Sequence, residues 1–300
     1  MDLLTSLTPL DGGWSGETFL AEVAGERSVV RIFAGPRHAE HAAEIQEVLL
    51  RLVRGLVPVP AVKEVRRADA DAEAPGLLVT ELLDGVRGDV LLPALDAQGQ
   101  GVVGGRLGTI AATLAGMPHV AAGMFVDATL RVRPFAPDLE EWVAQHEDLL
   151  DWSDADLAGL RAVAAHAQDR LDEVGRVSLV HGDLNLKNVL VDADTLEITG
   201  VVDWEFAHAG SPYADLGNLL RFDREPAYAD AVLRGWTQLR GDDPATARER
   251  ARSADLVALV DLAARKDANP VAARAHDRLL VIARSRDLHA TDQSRLLTSE

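Results

Sequence analysis

Apolar and polar residues alternate through the first third of the chain in the way that is typical of a small antiparallel sheet. Residues 18–23 alternate, a turn follows at 24–26, and residues 28–33 are extended and apolar. Residues 61–66 and 76–83 show the same strand-like character. The pattern therefore predicts a small sheet that begins with a hairpin.

One helix is predicted between the second and third of these strands, from about Arg37 to Arg54. Pro36 suits the start of a helix, and Gly55 suits its end. Four apolar residues recur at helical spacing and form a stripe that we expect to be buried, namely Ile45, Val48, Leu49 and Leu52.

The pattern changes after Asp84-Gly85. Residues 102–175 are mostly alanine- and leucine-rich with helical periodicity, residues 179–202 are rich in strand formers, and helical patterns then continue to the end. These features predict an α+β protein with two lobes. Residues 1–84 would form a small antiparallel-sheet lobe that ends in a hinge, and residues 85–300 a larger, mainly helical lobe.

Composition narrows the function classes. A hydrophobic content of 47% with mixed charge is typical of a soluble globular protein, and a formal net charge of −18 argues against a nucleic-acid partner. The sequence contains no cysteine, which excludes disulfides, thiolate metal sites and cysteine nucleophiles. With no signal-peptide pattern and no run of about 20 apolar residues, we expect a cytoplasmic protein without a membrane partner. The sequence does not indicate an oligomeric state.

The residues most informative about chemistry lie between positions 180 and 205. Two short apolar strands, 189–191 and 197–202, are separated by turn-forming residues, which predicts an antiparallel hairpin. Asn188 precedes the first strand and Asp203 follows the second, so the hairpin should bring them together. Asp183 lies a few residues earlier, on the incoming loop.

Two carboxylates and one amide oxygen would therefore meet at the end of one loop. Oxygen ligands of this kind suit Mg²⁺, which keeps other positions for water and phosphate. A remaining carboxylate could accept the proton of a hydroxyl as that hydroxyl attacks phosphorus. The alternative interpretation is a surface hairpin in which Asp and Asn serve as turn and cap residues.

The same residues resemble the catalytic motifs of the aminoglycoside phosphotransferase family, relatives of protein kinases that phosphorylate small molecules. The matching motifs are His181-Gly182-Asp183 with Asn188, Asp203, and the run from Gly210 to Leu216. The resemblance implies a protein-kinase-like fold, ATP and Mg²⁺ as cofactors and a small-molecule hydroxyl as acceptor. It implies that Asp183 is the catalytic base, that Asn188 and Asp203 hold Mg²⁺, and that His181 and Asp215 support the catalytic loop.

The resemblance also implies a nucleotide site. Arg31 stands where the family has a lysine that holds the phosphates, and we expect Glu44 to be its partner. Ser15 belongs to a glycine-rich approach that could cover the phosphates with backbone N–H groups or could be a loose turn. Glu81 and Leu83 fall where hinge backbone groups bind adenine. The sequence does not separate ATP from GTP as the donor.

The acceptor stays open at this stage. An aminoglycoside or another antibiotic, with antibiotic resistance as the consequence, is one alternative, and an amino alcohol or sugar metabolite is another. Because arginine replaces the family lysine, a catalytically silent, pseudokinase-like binding protein is a third alternative. Transfer of a nucleotidyl group is a fourth. An acidic run from Asp138 to Asp151 could attract a polyamine or could be a solvated helix face. The helices after about residue 226 stay uninterpreted.

One further string, Gly99-Gln100-Gly101-Val102-Val103-Gly104, matches the dinucleotide-binding pattern G-x-G-x-x-G. That pattern needs a preceding strand and a helix that begins at the glycines. No strand is predicted before Gly99, so a dinucleotide-binding fold is not expected.

Overall fold

The computed structural model describes residues 4–10, 18–23, 25–34, 41–69, 73–134, 138–222 and 225–290. Strands are β1 (Leu4–Pro9), β2 (Thr18–Val23), β3 (Glu26–Phe33), β4 (Val62–Arg66), β5 (Gly76–Glu81), β6 (Val86–Arg87), β7 (Pro118–His119), β8 (Gly123–Phe125), β9 (Val132–Arg133), β10 (Val177–Val180), β11 (Val189–Val191), β12 (Ile198–Val201) and β13 (His208–Gly210). Helices are α1 (Ala42–Val53), α2 (Gly88–Leu91), α3 (Ala97–Ala115), α4 (Leu139–His146), α5 (Asp154–Asp172), α6 (Ala214–Leu220), α7 (Pro226–Arg240), α8 (Pro244–Ala263) and α9 (Pro270–Ser285).

The N-terminal sheet has five strands in the order β1-β2-β3-β5-β4, and every neighbouring pair is antiparallel. The predicted hairpin of β2 and β3 is confirmed, with Arg31 opposite Thr18 on one side and Leu78 on the other. Strand β1 was not predicted. It pairs with β2 at the edge of the sheet, where its short mixed sequence carries little alternation.

Helix α1 packs on β4, β5 and the short 3₁₀ turn Trp204–Phe206. The predicted buried stripe is partly wrong, because Leu52 is 47% exposed while Gln46, Leu50 and Val53 are buried. Residues 43, 46, 50 and 53 are buried and recur at helical spacing, so the buried face is shifted from the predicted stripe and Leu52 lies outside it. Residues 37–40 of the predicted helix lie outside the described residues, and α1 begins at Ala42.

A second sheet contains β12, β11 and β6 in that order. The predicted hairpin of β11 and β12 is confirmed, with Val189 opposite Val201. Strand β6 lies directly after the predicted hinge and adds to the free edge of β11. The Thr199 hydroxyl also donates to the carbonyl of Asp84 at 2.6 Å, so the hinge segment is anchored to this hairpin.

The chain divides into two compact units. The first comprises Met1–Gly99, Gly123–Pro134 and His181–Ala209, and the second comprises Gln100–Ala122, Phe135–Val180 and Gly210–Glu300. The N-terminal sheet and the motif-bearing segment after residue 180 therefore belong to one unit. The division into lobes at residue 84 stays a prediction.

Helices α4, α5, α8 and α9 form the core of the second unit, around fully buried residues such as Leu160, Leu256 and Leu279. Their starts are set by side-chain caps. Asp138 accepts the Glu141 N–H at α4, Ser153 accepts the Asp156 N–H at α5, and Asp243 and Asn269 do the same at α8 and α9.

The expectation that residues 102–175 are mostly helical is confirmed for α3, α4 and α5. It is wrong for residues 118–133, which carry the short strands β7, β8 and β9. Gly116 follows the last residue of α3, and Pro118 cannot continue a helix because it lacks an N–H group. The two residues therefore end the helix where the alanine-rich composition alone predicts continuation.

Glycines of α3 allow α7 to approach closely. A Cβ atom at Gly104 would lie 2.6 Å from the carbonyl oxygen of Tyr228, and one at Gly108 would lie 2.0 Å from that of Val232. No side chain fits at either position. The G-x-G-x-x-G string thus lies within a helix, where its glycines serve helix packing, and it does not follow a strand as a dinucleotide-binding motif would.

The antiparallel sheets and the predominance of helices in the second unit confirm the α+β class. Within the described part of the chain, no helix combines the length and the apolar character needed to cross a bilayer.

Candidate active site

Two amide side chains hold the carboxylate of Asp183. Asn185 Nδ2 donates to Asp183 Oδ1 at 2.7 Å, and Asn188 Nδ2 donates to Asp183 Oδ2 at 2.8 Å. Asn188 Nδ2 also donates to the backbone carbonyl of Asp183 at 2.9 Å. Because both oxygens accept bonds from short, partly buried side chains, the carboxylate is fixed in position.

The hairpin of β11 and β12 brings Asn188 next to Asp203. The backbone N–H of Val202 donates to the carbonyl of Asn188 at 2.9 Å, which extends the ladder to the residue before Asp203. Asp203 itself has a left-handed backbone with φ 65° and ψ 61°. A non-glycine residue in this region stores strain of about 1 kcal/mol and is found preferentially at functional sites.

Arg31 reaches from β3 to two carboxylates that flank the buried Trp204. Arg31 Nη1 donates to Asp203 Oδ1 at 2.6 Å, and Arg31 Nη2 donates to Glu205 Oε2. The Arg31 side chain is 13% exposed, whereas the side chains of Asp203 and Glu205 are 36% and 26% exposed. The indole of Trp204 is buried and donates to the Val201 carbonyl at 3.0 Å, which anchors the turn between the two carboxylates.

His181 joins the Asp183 loop to the hairpin. Its ring is fully buried, its Nδ1 accepts the N–H of Asp183 at 3.2 Å, and its Nε2 lies 3.0 Å from the Val202 carbonyl. The carbonyl can only accept, so Nε2 carries the proton and the ring is neutral. Burial lowers the pKa of His181 to about 4, and the backbone bond to Val202 offsets this only in part.

His181 should make stability depend on pH. Its pKa is about 4 in the folded protein, against the ordinary 6.5 of a histidine in the unfolded chain, so only the unfolded chain gains a proton as the pH falls below 6.5. Stability is then lost towards pH 4, at a rate of up to about 1.4 kcal/mol per pH unit for this group. The difference in unfolding free energy between wild type and His181→Asn should therefore narrow from pH 7 to pH 5 in urea denaturation. The exposed His166→Asn serves as the control, and a constant difference for His181→Asn would contradict the assignment.

Most of the chain matches the model of a known protein family. The model of the phosphotransferase enzyme family, APH, matches residues 6–252 of the 300. The chain belongs to this phosphotransferase family. The match extends beyond Leu216, the last residue of the matching motifs, and it includes every residue of the Asp183 loop and the hairpin.

Solved structures of phosphotransferases share the fold. The microcompartment-associated aminopropanol kinase superimposes with a TM-score of 0.66 at 21% identity, covering 94% of this chain and 92% of that chain. A thermostable mutant of aminoglycoside phosphotransferase APH(4)-Ia, in ternary complex with AMP-PNP and hygromycin B, gives a TM-score of 0.65 at 19% identity, covering 94% and 95%. The predicted protein-kinase-like relationship is thus confirmed at the level of the fold.

A longer curated protein is similar to part of this chain. Acyl-CoA dehydrogenase family member 10 from Mus musculus is 22% identical over 214 residues. The aligned part covers 70% of this chain and 20% of the relative. The phosphotransferase chain therefore spans about a fifth of the length of that curated protein.

The expected pair between Arg31 and Glu44 is not formed in this structure. Glu44 is buried as predicted, but its Oε1 lies 3.6 Å from Arg67 Nε and 3.5 Å from His41 Nδ1. Arg31 instead contacts carboxylates 172 and 174 residues further along the chain. A role for Glu44 at the nucleotide stays a prediction.

The predicted hinge residues lie at the end of β5. The N–H of Glu81 donates to the Ala61 carbonyl at 2.8 Å, and its carboxylate accepts the Ala61 N–H at 3.2 Å. Leu83 packs against β12, since a Cβ atom at Gly200 would lie 2.5 Å from Leu83 Cδ1. Contacts of these two residues with adenine stay predictions. Ser15 lies outside the described residues.

Asp215 belongs to the second unit. It lies in the first turn of α6 and is 2% exposed. Its support of the catalytic loop stays a prediction.

Sequence reasoning missed two contributors to the site. Asn185 holds Asp183, and Glu205 holds Arg31. Some indication of Asn185 was present in the sequence, because an asparagine two residues after an aspartate can cap a tight turn. In the structure the Asn185 side-chain oxygen does so by accepting the Lys187 N–H at 2.9 Å. The indication for Glu205 was weaker, namely that it is a second acidic residue close to Asp203, separated from it by Trp204.

Proposed function

We propose that this protein transfers the γ-phosphoryl group of ATP to a hydroxyl of a small molecule. The observation that carries the proposal is the Asp183 carboxylate, which the amides of Asn185 and Asn188 hold in place. The hairpin in turn brings Asn188 next to Asp203. Membership of the phosphotransferase family supports it. So does the fold shared with a structure that holds AMP-PNP.

In the proposed reaction Asp183 accepts the proton of the acceptor hydroxyl. The hydroxyl oxygen forms a bond to the γ-phosphorus, the bond from that phosphorus to the β–γ bridging oxygen breaks, and ADP leaves. A fixed carboxylate suits this task because it must lie within hydrogen-bond reach of the attacking hydroxyl. Arg31, which donates to Asp203 at 2.6 Å, is placed to neutralise phosphate charge.

The residues present fit Mg²⁺. The amide nitrogen of Asn188 is committed to Asp183, which leaves its oxygen available, and Asp203 has a second carboxylate oxygen besides the one bonded to Arg31. One amide and one carboxylate oxygen are a typical protein contribution to Mg²⁺, with phosphates and waters supplying the rest. The described residues contain no cluster of three or more His, Cys, Asp or Glu side chains, so the protein alone would bind a divalent cation weakly and the phosphates would tighten that binding. When bound, Mg²⁺ would neutralise charge on the phosphates.

We propose that the acceptor carries an amine as well as a hydroxyl. The net charge of −18 favours cationic ligands. The relatives' names point the same way, since one is an aminopropanol kinase and another binds hygromycin B. The acidic run that begins at Asp138 adds less support, because Asp138 caps α4 and Glu147 pairs with Arg161 at 2.7 Å.

ADP release from Mg·ATP across an acceptor panel tests this function. The panel should contain aminoglycosides, amino alcohols, and sugars and macrolides with and without amino groups, each with an EDTA control. We expect acceptor-dependent ADP release with amine-bearing compounds and none after chelation. Release of pyrophosphate instead of ADP would indicate nucleotidyl transfer. Binding of ATP without acceptor-dependent release for any compound would favour a silent binding protein and contradict the proposal.

A further inference from the structure

Arg31 differs from an ordinary surface arginine in that it bridges two carboxylates of one turn. Its two terminal nitrogens contact Asp203 and Glu205, and its Nε is buried without a hydrogen-bond partner among the described residues. The guanidinium also lies 5.6 Å from the centre of the Phe33 ring. Packing therefore holds the side chain close to these two acceptors.

The bond from Arg31 weakens metal binding at Asp203, although the second oxygen of that carboxylate is open to a metal. A divalent cation and a guanidinium compete for the same carboxylate, and two cations at hydrogen-bond distance repel each other. Asp203 is thus neutralised by the protein's own arginine when no metal is present. A charge-assisted bond of this kind in a partly buried site must be broken or weakened before the metal binds at full strength.

Glu205 offers a place for Arg31 while the metal holds Asp203. Its carboxylate binds the second terminal nitrogen, so the guanidinium can give up Asp203 and stay beside the site. A lysine would have to serve both acceptors from a single nitrogen, so it could not keep Glu205 on one terminal nitrogen while another releases Asp203. The structure thus gives a physical role to the arginine and to Glu205 together.

We propose that Arg31 competes with the divalent cation for Asp203, and that Glu205 retains the guanidinium when the cation displaces it. Glu205 is then a positioning residue for Arg31. The sequence pattern alone predicts Glu44 in this role of partner. This inference rests on the proposed function, because it assumes that Asp203 is a metal ligand.

Binding of Mn²⁺ to the nucleotide-free protein tests the competition directly. Electron paramagnetic resonance of unbound Mn²⁺ gives the dissociation constant without any turnover. Arg31→Met removes the competitor and should tighten Mn²⁺ binding about tenfold, and Arg31→Lys should tighten it less. Arg87→Met is the matched control, since Arg87 belongs to the same unit and pairs with Asp89 at 2.6 Å. Unchanged or weaker binding in Arg31→Met would overturn the proposal.

A double-mutant cycle tests the part played by Glu205. Glu205→Gln should weaken Mn²⁺ binding about three- to tenfold, because Arg31 then has only Asp203. If Glu205 acts through Arg31, Glu205→Gln should change the Mn²⁺ dissociation constant by a factor at least threefold smaller in the Arg31→Met background than in the wild type. An equal effect in both backgrounds would show that Glu205 acts on the metal itself and would overturn its positioning role. Asp194→Asn, in the exposed turn of the hairpin, controls for the loss of one negative charge in the same unit.

Asp203→Asn separates this inference from the proposed function. Loss of Mn²⁺ binding in Asp203→Asn with no change in Arg31→Met would overturn the competition alone. Unaltered Mn²⁺ binding in Asp203→Asn would overturn the metal site and the competition together. Urea denaturation of each variant shows that a change in affinity does not come from unfolding.

Discussion

Replacing Asp183 with asparagine should lower turnover by at least about 100-fold and leave nucleotide affinity within about threefold of the wild type. The carboxamide has nearly the same shape but cannot accept the acceptor proton, and general-base contributions are typically of this size. Two contacts change as well. Asn185 and Asn188 both donate to this carboxylate, so the new amide group can satisfy only one of them through its oxygen.

The measurement is steady-state ADP release with an active acceptor, together with displacement of a fluorescent nucleotide. Asp194→Asn is the matched control, because it removes the same charge from an exposed position in the adjoining hairpin. Turnover within tenfold of the wild type in Asp183→Asn would contradict the role of general base. A parallel loss of nucleotide affinity would instead indicate that the loop has collapsed.

Replacing Gly182 with alanine should destabilise the first unit by about 3–5 kcal/mol and abolish turnover. Gly182 has φ +83°, and a Cβ atom there would lie 2.3 Å from the carbonyl oxygen of Phe206. Left-handed backbone costs alanine about 1 kcal/mol, and a backbone clash of this depth forces a larger shift. Phe206 cannot move freely, because its turn is anchored by the buried Trp204.

Urea denaturation and turnover check this prediction, and two other glycines separate its causes. Gly25 has φ +85°, and a Cβ atom there would meet no described atom within 4 Å, so Gly25→Ala should show the backbone cost alone, about 1 kcal/mol. A Cβ atom at Gly175 would also meet no described atom within 4 Å, and the backbone there is not left-handed, so Gly175→Ala should be neutral. Equal losses in Gly182→Ala and Gly25→Ala would show that the contact with Phe206 is unimportant.

Short-range pattern determined the parts of the molecule on which the proposed function depends. The turn residues between two short apolar runs fixed the hairpin of β11 and β12, and a hairpin necessarily brings its open ends together. The sequence alone therefore sufficed to place Asn188 and Asp203 side by side. The small sheet, the single helix on it and the family were predictable for the same reason, since each depends on residues that lie close along the chain.

Only the tertiary structure decided the partners of the long charged side chains and the face of each helix that is buried. Arg31 and Glu44 both had plausible partners by spacing, but Arg31 bridges Asp203 and Glu205, while Glu44 lies near Arg67. Leu52 follows the apolar stripe of α1 and is exposed, because the strands and the turn on which the helix packs decide which face is buried. A long side chain can reach many acceptors at similar local cost, so its partner depends on contacts between elements far apart in sequence. The local sequence pattern therefore does not predict those contacts.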